Sequence, residues 1–531
     1  MFKFCILAAG KGTRNTSVEG LHKSLLPVSN KAAISKILEK IPKDVPVVIA
    51  VGYKSEQVMT YCNLIHSDRD IDFVKIENFD GPGSGPGLSL LSCKSRLNCP
   101  FIFTSADTIL EPDEKIDFSI DKNWVGTAHV SAEESYKYCL FDSSRPANDR
   151  FYFKCNTASD AFIGIAGVKD YEDFWQGLSE KDLIKDEHQV LNGLRYLNEV
   201  SQHNLTWYDT GNIQSYEKTK SRFPNDVVIE KNNEVIFIDN GWVVKYFSNQ
   251  KKLNDRVKRT EQLFSYVPKV IKINENMMAY QFIEGVRLSD VYDENVLSYF
   301  LTDYYKNFVK PDTSDDNESF LLNCDEMYFQ KTQSRVEGFI GSPIDRISKI
   351  NGVSVKPIRE ILLKIDWNKI QKKSVPTCFH GDLQPENIIY SSSPEKRFFY
   401  IDWRETFGKS IETGDMYYDL GKLYHALVIS NSLVLEGNYS VKINYEDDQA
   451  EIYFAIKNNL LNLNKILEVF CKRNELDYRH VKLLGILNYL NIACLYDNFE
   501  NGDYGRFLFL LGKKMLTEWI DEEQNEPIKS N

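Results

Sequence analysis

Positive charge is in short supply in this sequence. Its 531 residues carry 64 Lys and Arg against 76 Asp and Glu, a net charge of −12. That balance excludes a general nucleic-acid binder, whose phosphate contacts need a basic face. Cysteine is sparse as well. Cys5, Cys62, Cys93, Cys99, Cys139, Cys155, Cys324, Cys378, Cys471 and Cys494 form no C-x-x-C pair and have no nearby His to complete a zinc pattern, so they read as reduced core thiols. No apolar run reaches the roughly 18 residues of a membrane span. The opening MFKFCILAAGKGTR turns Gly-rich and basic after a few apolar residues, unlike a signal or transit peptide. These absences point to a cytoplasmic chain with no membrane insertion and no nucleic-acid partner. Internal repeats and long low-complexity tracts are missing too.

What remains is globular: 42% of residues are apolar and 26% charged. At roughly 100–200 residues per domain the length suggests about three folding units. The first 220 or so residues alternate short β-rich runs with helical patterns. FKFCIL is followed by a Gly-rich turn, then by Ile34, Ile37, Leu38 and Ile41 on one helical face, then by VPVVIAVGY. This order predicts a right-handed crossover in a parallel or mixed sheet. Around Ser221–Asn225 the pattern changes, and VVIEKNNEVIFIDNGWVVKYF reads as strands broken by Asn-Asn and Asp-Asn-Gly turns. After a strand near Met278–Ile283 the chain is helix-rich, with Ile456, Leu460, Leu463, Leu467 and Phe470 on one stripe. Lys310–Glu318 reads as a loop and the tail DEEQNEPIKSN as frayed.

The turn Leu7, Ala8, Ala9, Gly10, Lys11, Gly12, Thr13, Arg14 follows the first strand directly. Its glycines let backbone N–H groups approach a phosphate, and Lys11 and Arg14 add charge. It matches neither G-x-x-x-x-G-K-[ST] nor G-x-G-x-x-G. Together with KSLLPV (Lys23–Val28), it resembles the signature of nucleotidyltransferases that make nucleotide-activated sugars and phosphocholine. The resemblance spans about residues 1–222. It implies that Arg14 and Lys23 neutralise a nucleoside triphosphate, and that Asp107 in FIFTSADTIL and Asp209 in WYDTGN hold Mg²⁺. It further implies that Lys154 reaches the acceptor's phosphate. Gly85, in GPGSGPG, is either a structural turn or part of a loop over the base. Glu187, in DEHQV, is either an acceptor ligand or a solvated helical residue, and His188 beside it reads as a surface residue. The chemistry asks for such groups, because a phosphomonoester attacking an α-phosphorus gathers many anionic oxygens around one leaving pyrophosphate.

A second set lies near the other end. HGDLQPENII gives Asp382 and Asn387 the Asp-to-Asn spacing of a kinase catalytic loop, and FFYIDW then delivers Asp402. Lys245 in WVVKYF sits on a predicted strand suited to contacting the α- and β-phosphates, with Glu261 in the following helix as its partner. MAYQFIEG reads as a hinge. H-G-D-L-x-x-x-N with I-D-W resembles the aminoglycoside phosphotransferase and choline kinase superfamily over about residues 226–525. The resemblance implies Asp382 as the base that takes the hydroxyl proton, Asn387 and Asp402 as magnesium ligands, and Asp419 as a structural support. Arg404-Glu405 departs from the pattern, and only Asn232-Asn233 stands where a Gly-rich loop is usual.

The expectation is therefore an α/β Rossmann-like nucleotidyltransferase domain (1–222) followed by an α+β bilobal kinase-like fold (226–525). A kinase makes a phosphomonoester and a nucleotidyltransferase consumes one. The pair implies ATP-dependent phosphorylation of a small alcohol, favoured as a sugar or polyol, and then activation by a second triphosphate (CTP, UTP, GTP or dTTP) for a surface polysaccharide or other glycoconjugate. One alternative is a choline or amino-alcohol kinase joined to a phosphocholine cytidylyltransferase. Another is a nucleotidyltransferase with a non-catalytic, nucleotide-sensing second domain.

Overall fold

The computed structural model describes residues 2–525 apart from 117, 119, 154–156, 181, 182, 185, 225–232, 264, 292, 311–316, 392–395, 430–433, 435, 456, 457 and 497–501. The chain divides into two compact units, Met1–Leu253 with Val270–Phe282, and Asn254–Lys269 with Ile283–Asn531.

In the first unit, β1 (Lys3–Ala8) is buried along almost its whole length, as the middle strand of a parallel sheet must be. The connection through α1 (Ala33–Lys40) leads to β2 (Val47–Val51), parallel to β1, and α2 (Ser55–Ile65) leads on to β3 (Ile71–Lys75), parallel to β2. The chain then returns to the other side of β1 as β4 (Phe101–Ser105), also parallel. This 3-2-1-4 order is Rossmann-like. Past it come β5 (Thr108–Leu110), β6 (Asn123–Val130), β7 (Ser159–Val168), β8 (Val200–Asn204) and β9 (Trp207–Asp209). β7 runs antiparallel to both β4 and β6, and β8 parallel to β6, so the sheet is mixed. Alternation along β1 feeds two cores. Phe4, Ile6 and Ala8 pack with Ile34, Ile37, Leu38 and Ile41, whereas Cys5 and Leu7 pack with Phe101, Phe103 and Phe174.

A four-stranded antiparallel sheet of β10 (Glu234–Asp239), β11 (Trp242–Phe247), β12 (Ile271–Asn274) and β13 (Met277–Gln281) also belongs to this unit. Asn240 and Gly241, both at positive φ, make the two-residue β10–β11 turn. The sequence pattern assigns these strands to the second domain. Here Val235, Phe237, Val244, Tyr246, Met277 and Ala279 share one core with Phe4 and Ile6. Phe237 packs edge-on against Tyr61 at 5.3 Å, and the Tyr246 hydroxyl donates to Glu19 O at 2.8 Å. A break in local pattern shows where a new sheet begins but not which core it joins.

The second unit is helix-rich. Between α4 (Gln250–Arg259), which straddles the division, and the C-terminal helices lie α5 (Lys331–Val336) and the hairpin β14 (Ile388–Tyr390) with β15 (Phe398–Tyr400). α6 (Met416–Val428), α8 (Tyr478–Ala493) and α9 (Asp503–Asn525) pack in series after it. On α7 (Asn458–Arg473), Leu460, Leu463, Leu467 and Phe470 are buried, while Ile456 lies outside the described residues. α9 runs on to Asn525, so Asp521–Asn525 of the expected frayed tail are helical, and the rest of that tail lies outside the described residues. Asn317 and Glu318, at the end of the expected loop, are likewise helical, in Asn317–Asp325, while 311–316 lie outside the described residues. No helix among the described residues is long and apolar enough to cross a membrane. The described cysteines are all free thiols.

Arg259 ends α4 fully buried. Its guanidinium donates to the carbonyls of Phe379 and Arg404, and to Ile411 O at 3.1 Å, and stacks on the Phe379 ring 3.8 Å away. Burial lowers its pKa to about 10, so it stays charged at neutral pH. Removing the donor orphans several buried carbonyls. Arg259→Met is expected to lower the urea stability of this unit by roughly 2–5 kcal/mol; an unchanged midpoint followed by circular dichroism would contradict this role.

Candidate active sites

The strand order of the parallel sheet reverses at β1, and α/β sheets open a crevice at such a point. Leu7, Ala8 and Ala9 are buried, Gly10 is half-buried, and Lys11, Thr13 and Arg14 are exposed. Gly12 has φ +64°, and a Cβ on it would lie 2.8 Å from the Lys23 side chain, so only glycine lets the turn lie over Lys23 undisturbed. Lys11 is ion-paired with Asp80. The Asn15 amide donates to Thr210 O at 2.9 Å, tying this turn to the loop that follows β9.

Lys23 opens a one-turn 3₁₀ helix, and the His22 ring caps it by accepting the Ser24 N–H at 3.2 Å. Burial, with help from Lys23 and Lys54, lowers His22 to about 3, which keeps the ring neutral for that task. From there Lys23 Nζ reaches Asp107 Oδ2 at 2.9 Å. Asp107 lies two residues past β4, and the next strand, β5, pairs antiparallel with β9 so that Thr108 faces Asp209. Two acids about a hundred positions apart are thus joined by one ladder. The space beside Gly211 lies between them: a Cβ there would sit 2.9 Å from Asp209 Oδ1 and 3.2 Å from Asp107 Oδ2.

Burial penalises both carboxylates. For Asp107 the Lys23 ammonium outweighs that penalty and holds the group below the usual carboxylate range. Asp209 is left above it by burial and by the charge on Asp107, in spite of the Gly211 N–H that it accepts at 2.7 Å. The adjoining cleft, about 260 Å³, is lined by Arg14, Asp107, Asp209, Lys137, Tyr138 and Asn212 among others. The last three were not found from sequence. Asn212, N-cap of the helix Ile213–Arg222, also donates to Asp209 Oδ2 at 3.2 Å; its place in WYDTGN, just before a helix, was the available signal. Burial and Asp209 push the Tyr138 phenol up to about 12, so it remains a donor.

The other sequence candidates fall around this cleft unevenly. GPGSGPG packs on the segment 186–189: a Cβ on Gly85 would lie 2.6 Å from His188 O, and Gly83 N–H donates to Asp186 O at 2.9 Å. Glu187 is exposed, in a two-residue strand rather than a helix, and accepts from the Gln189 amide. His188 is not a surface residue; it is 5% exposed, with Nε2 2.8 Å from Leu178 O. Lys154 lies outside the described residues.

In the second unit the β14–β15 hairpin organises another cluster. Its register sets Ile388 opposite Tyr400, so Asn387 and Asp402 flank the same end, and Ile401 N–H donates to Asn387 O at 2.9 Å. The Asn387 amide donates to Asp382 O at 2.9 Å and Asp382 Oδ2 at 3.2 Å. His380 is fully buried and lowered to about 4 by that burial. Neutral, it accepts the Asp382 N–H on Nδ1 at 3.2 Å and donates from Nε2 to Ile401 O at 3.0 Å. Beneath it, Asp419 accepts the N–H groups of His380 and Gly381 at 2.6 and 2.7 Å. Burial raises Asp419 to about 7.

Counter-charges come from residues that the sequence did not single out. Lys422 Nζ lies 3.2 Å from Asp382 Oδ1, and Arg256 Nη1 2.6 Å from Asp402 Oδ1. Burial and the Asp402 charge push Asp382 up, and Lys422 reverses the sign and holds it below the usual range. Glu261 lies past the end of α4 rather than inside a helix, and is exposed; Arg256, within α4, is the residue that reaches Asp402. Lys245 is buried on β11, in the first unit.

Among the described residues no group of three or more His, Cys, Asp or Glu side chains is placed to hold a metal ion. A divalent ion would draw on Asp107 and Asp209 in the first cluster and on Asn387 and Asp402 in the second. Hard carboxylate and amide oxygens suit Mg²⁺, which commonly binds one or two carboxylates and fills its octahedron with phosphate and water. The raised Asp209, repelled by Asp107 next to a gap, fits such an ion.

No protein-family model and no curated protein matches this chain. Among solved structures, it is similar to a UDP-glucose pyrophosphorylase from Acinetobacter baumannii (12% identity, 41% of this chain and 92% of that one, TM-score 0.31). It is also similar to HddC from Yersinia pseudotuberculosis complexed with GMP-PN (17%, 42% and 100%, TM-score 0.33). A third similar structure is the inositol-1-phosphate CTP transferase from T. maritima (13%, 43% and 98%, TM-score 0.34).

The two aspartates of the first unit act on stability with opposite sign. Asp107, depressed, contributes above its unfolded pKa and loses that contribution as pH falls through its folded value. Asp209, raised, contributes while protonated and loses that as pH rises through its folded value. Asp209→Asn is expected to raise the metal-free melting temperature at neutral pH, by about 2–4 °C per kcal/mol of repulsion relieved, with the gain vanishing in acid. The same change should weaken the stabilisation of the first unit by Mg²⁺ and leave that of the second unit in place. A variant that melts lower without metal, or whose first unit keeps the full Mg²⁺ response, would contradict the site.

Proposed function

We propose that this chain is a bifunctional transferase, a nucleotidyltransferase in its first unit and a small-molecule phosphotransferase in its second. The observation that carries the first half is the meeting of Asp107 and Asp209 beside Lys23 at the sheet's crevice. In this reading a phosphomonoester oxygen attacks the α-phosphorus of a nucleoside triphosphate and pyrophosphate leaves. Arg14 and Lys23 neutralise the triphosphate, and the backbone of residues 7–13 cradles it. Asp107 and Asp209 would hold Mg²⁺, which supplies charge neutralisation of the leaving group. Gly85 borders the nucleotide, and Lys154 and Glu187 serve the acceptor.

The second half is supported by Asp382, Asn387 and Asp402 converging on one hairpin end. Asp382, kept ionised by Lys422, takes the proton of an alcohol as its oxygen attacks the γ-phosphorus of ATP. Asn387 and Asp402 would hold the metal of Mg·ATP. The product of this step is the class of compound that the first site consumes, which places the two reactions in sequence on one metabolite. We favour a sugar or polyol over an amino alcohol, with the product passing to a surface polysaccharide or glycoconjugate. The competing reading, a non-catalytic nucleotide sensor in the second unit, is disfavoured by an aspartate held ionised and partly open to solvent where a base is needed.

Single substitutions separate the halves. Asp382→Asn is expected to cut ATP-dependent phosphorylation of the alcohol by about 10²–10⁴-fold and to spare nucleotidyl transfer to a supplied phosphomonoester. Asp107→Asn should do the reverse. Loss of both activities in either variant, with the fold intact, would contradict two separate sites.

A further inference from the structure

The second site holds more positive charge than the reading above uses. Tyr418 and Lys422 stand one turn apart on α6, and Lys331 comes from α5. Lys331 Nζ lies 3.3 Å from the Tyr418 hydroxyl and 5.6 Å from the ring centroid. Arg404, in the loop after Asp402, is fixed through its backbone N–H to His380 O at 2.9 Å and through Nε to Thr406 O at 2.9 Å. Lys422 bridges this group to Asp382 at 3.2 Å.

Neither Lys331 nor Arg404 makes an ion pair with a carboxylate among the described residues, and the side chain of Lys422 is only 10% exposed. A burial-penalised ammonium without a carboxylate partner, as Lys331 is, is costly unless an anion joins it. The surroundings register the imbalance. Burial should raise the Tyr418 phenol, yet Lys331, Lys422 and Arg404 draw it down to about 8. Lys331, in turn, is lowered to about 8 by its own burial. Lys331 and Lys422 sit on helices, and Arg404 in the loop that follows Asp402.

We propose that Lys331, Arg404, Lys422 and Tyr418 form an anion subsite for the acceptor, so that the alcohol phosphorylated here is itself an acid, bearing a carboxylate or a phosphate. This rests on the phosphotransferase reading of the second unit. The anionic group docks on the cations and presents a hydroxyl to Asp382. That hydroxyl's proton passes to Asp382 as its oxygen bonds to the γ-phosphorus, and the bond from phosphorus to the bridging oxygen of ADP breaks. A cationic amino alcohol would meet repulsion at the same place.

The test uses the full-length protein with Mg·ATP and four acceptors of similar size: glycerate, glycerol 1-phosphate, glycerol and ethanolamine. ADP release and product mass are followed, and binding of glycerate and glycerol 1-phosphate is measured calorimetrically without ATP. One or both acids should exceed glycerol and ethanolamine in kcat/KM by at least about tenfold, the worth of one charge-assisted hydrogen bond. Which acid wins distinguishes carboxylate from phosphate. Lys331→Met should raise the acceptor KM by a similar factor and leave the KM for ATP unchanged, with Lys331→Arg partly restoring it at a native melting temperature. Preference for glycerol or ethanolamine, or a rise in the ATP KM alone, would overturn the inference. If no acceptor consumes ATP yet an acid binds and Lys331→Met abolishes that binding, the subsite stands and the phosphotransferase reading falls. If no acid binds either, the subsite falls as well.

Discussion

Carboxylates brought within a few ångström of one another in a half-buried cleft repel, and a fold that places them so must hold a cation against them. The same arrangement appears in each unit of this chain. Asp107, next to Asp209, is held by Lys23; Asp382, within the field of Asp402, is held by Lys422, and Asp402 itself by Arg256. Lysine and arginine thus supply in the ligand-free protein part of the positive charge that magnesium would bring with a nucleotide. Under the proposed function, both sites are electrostatically tense without ligand and would be relieved by polyphosphate bound with metal.

Each site depends on secondary structure that converts distance in sequence into proximity. In the first unit, the sheet order sends β4 back beside β1, and the β5–β9 ladder then delivers Asp209 to the residue after Asp107. In the second, a short hairpin sets the reach of Asn387 and Asp402, while Asp419 and His380 fix the turn that carries Asp382. Two π-helical turns serve the same framework. Tyr304, in Tyr304–Phe308, donates to Asp419, and Tyr328, in Glu326–Gln330, donates to the buried Asp415 that caps α6. Such widened turns re-aim a side chain that a regular helix would misplace.

What could be read from the sequence was local. The β1–turn–α1–β2 order, the strand-end Asp107, the WYDTGN element and the HGDLQPEN loop each show in a handful of consecutive residues. What could not be read was set by tertiary pairing. The affiliation of β10–β13 depends on Phe237 meeting Tyr61 and on Tyr246 meeting Glu19, contacts between segments far apart in the chain. His188 looked like a surface residue beside an acidic one, but its ring turns inward to Leu178. Glu261 seemed the natural ion-pair partner on a following helix, yet α4 ends at Arg259 and Arg256 points its charge to Asp402. Lys422 lay in view on a strongly apolar helix, where a lysine reads as an exposed exception until the aspartate opposite it is known.

The central claim is that one polypeptide performs phosphoryl transfer and nucleotidyl transfer in succession. The most direct measurement incubates the pure protein with Mg·ATP, a second nucleoside triphosphate and unphosphorylated alcohols, and follows the phosphorus species by ³¹P NMR with mass identification of the conjugate. If the two transfers run in succession, a nucleoside diphosphate-linked alcohol forms with one ADP and one pyrophosphate released for each conjugate, and no conjugate forms when ATP alone is replaced by a non-hydrolysable analogue. Conjugate formed without ADP release, or ADP release whose phosphorylated product is never taken up by the second triphosphate, would contradict it.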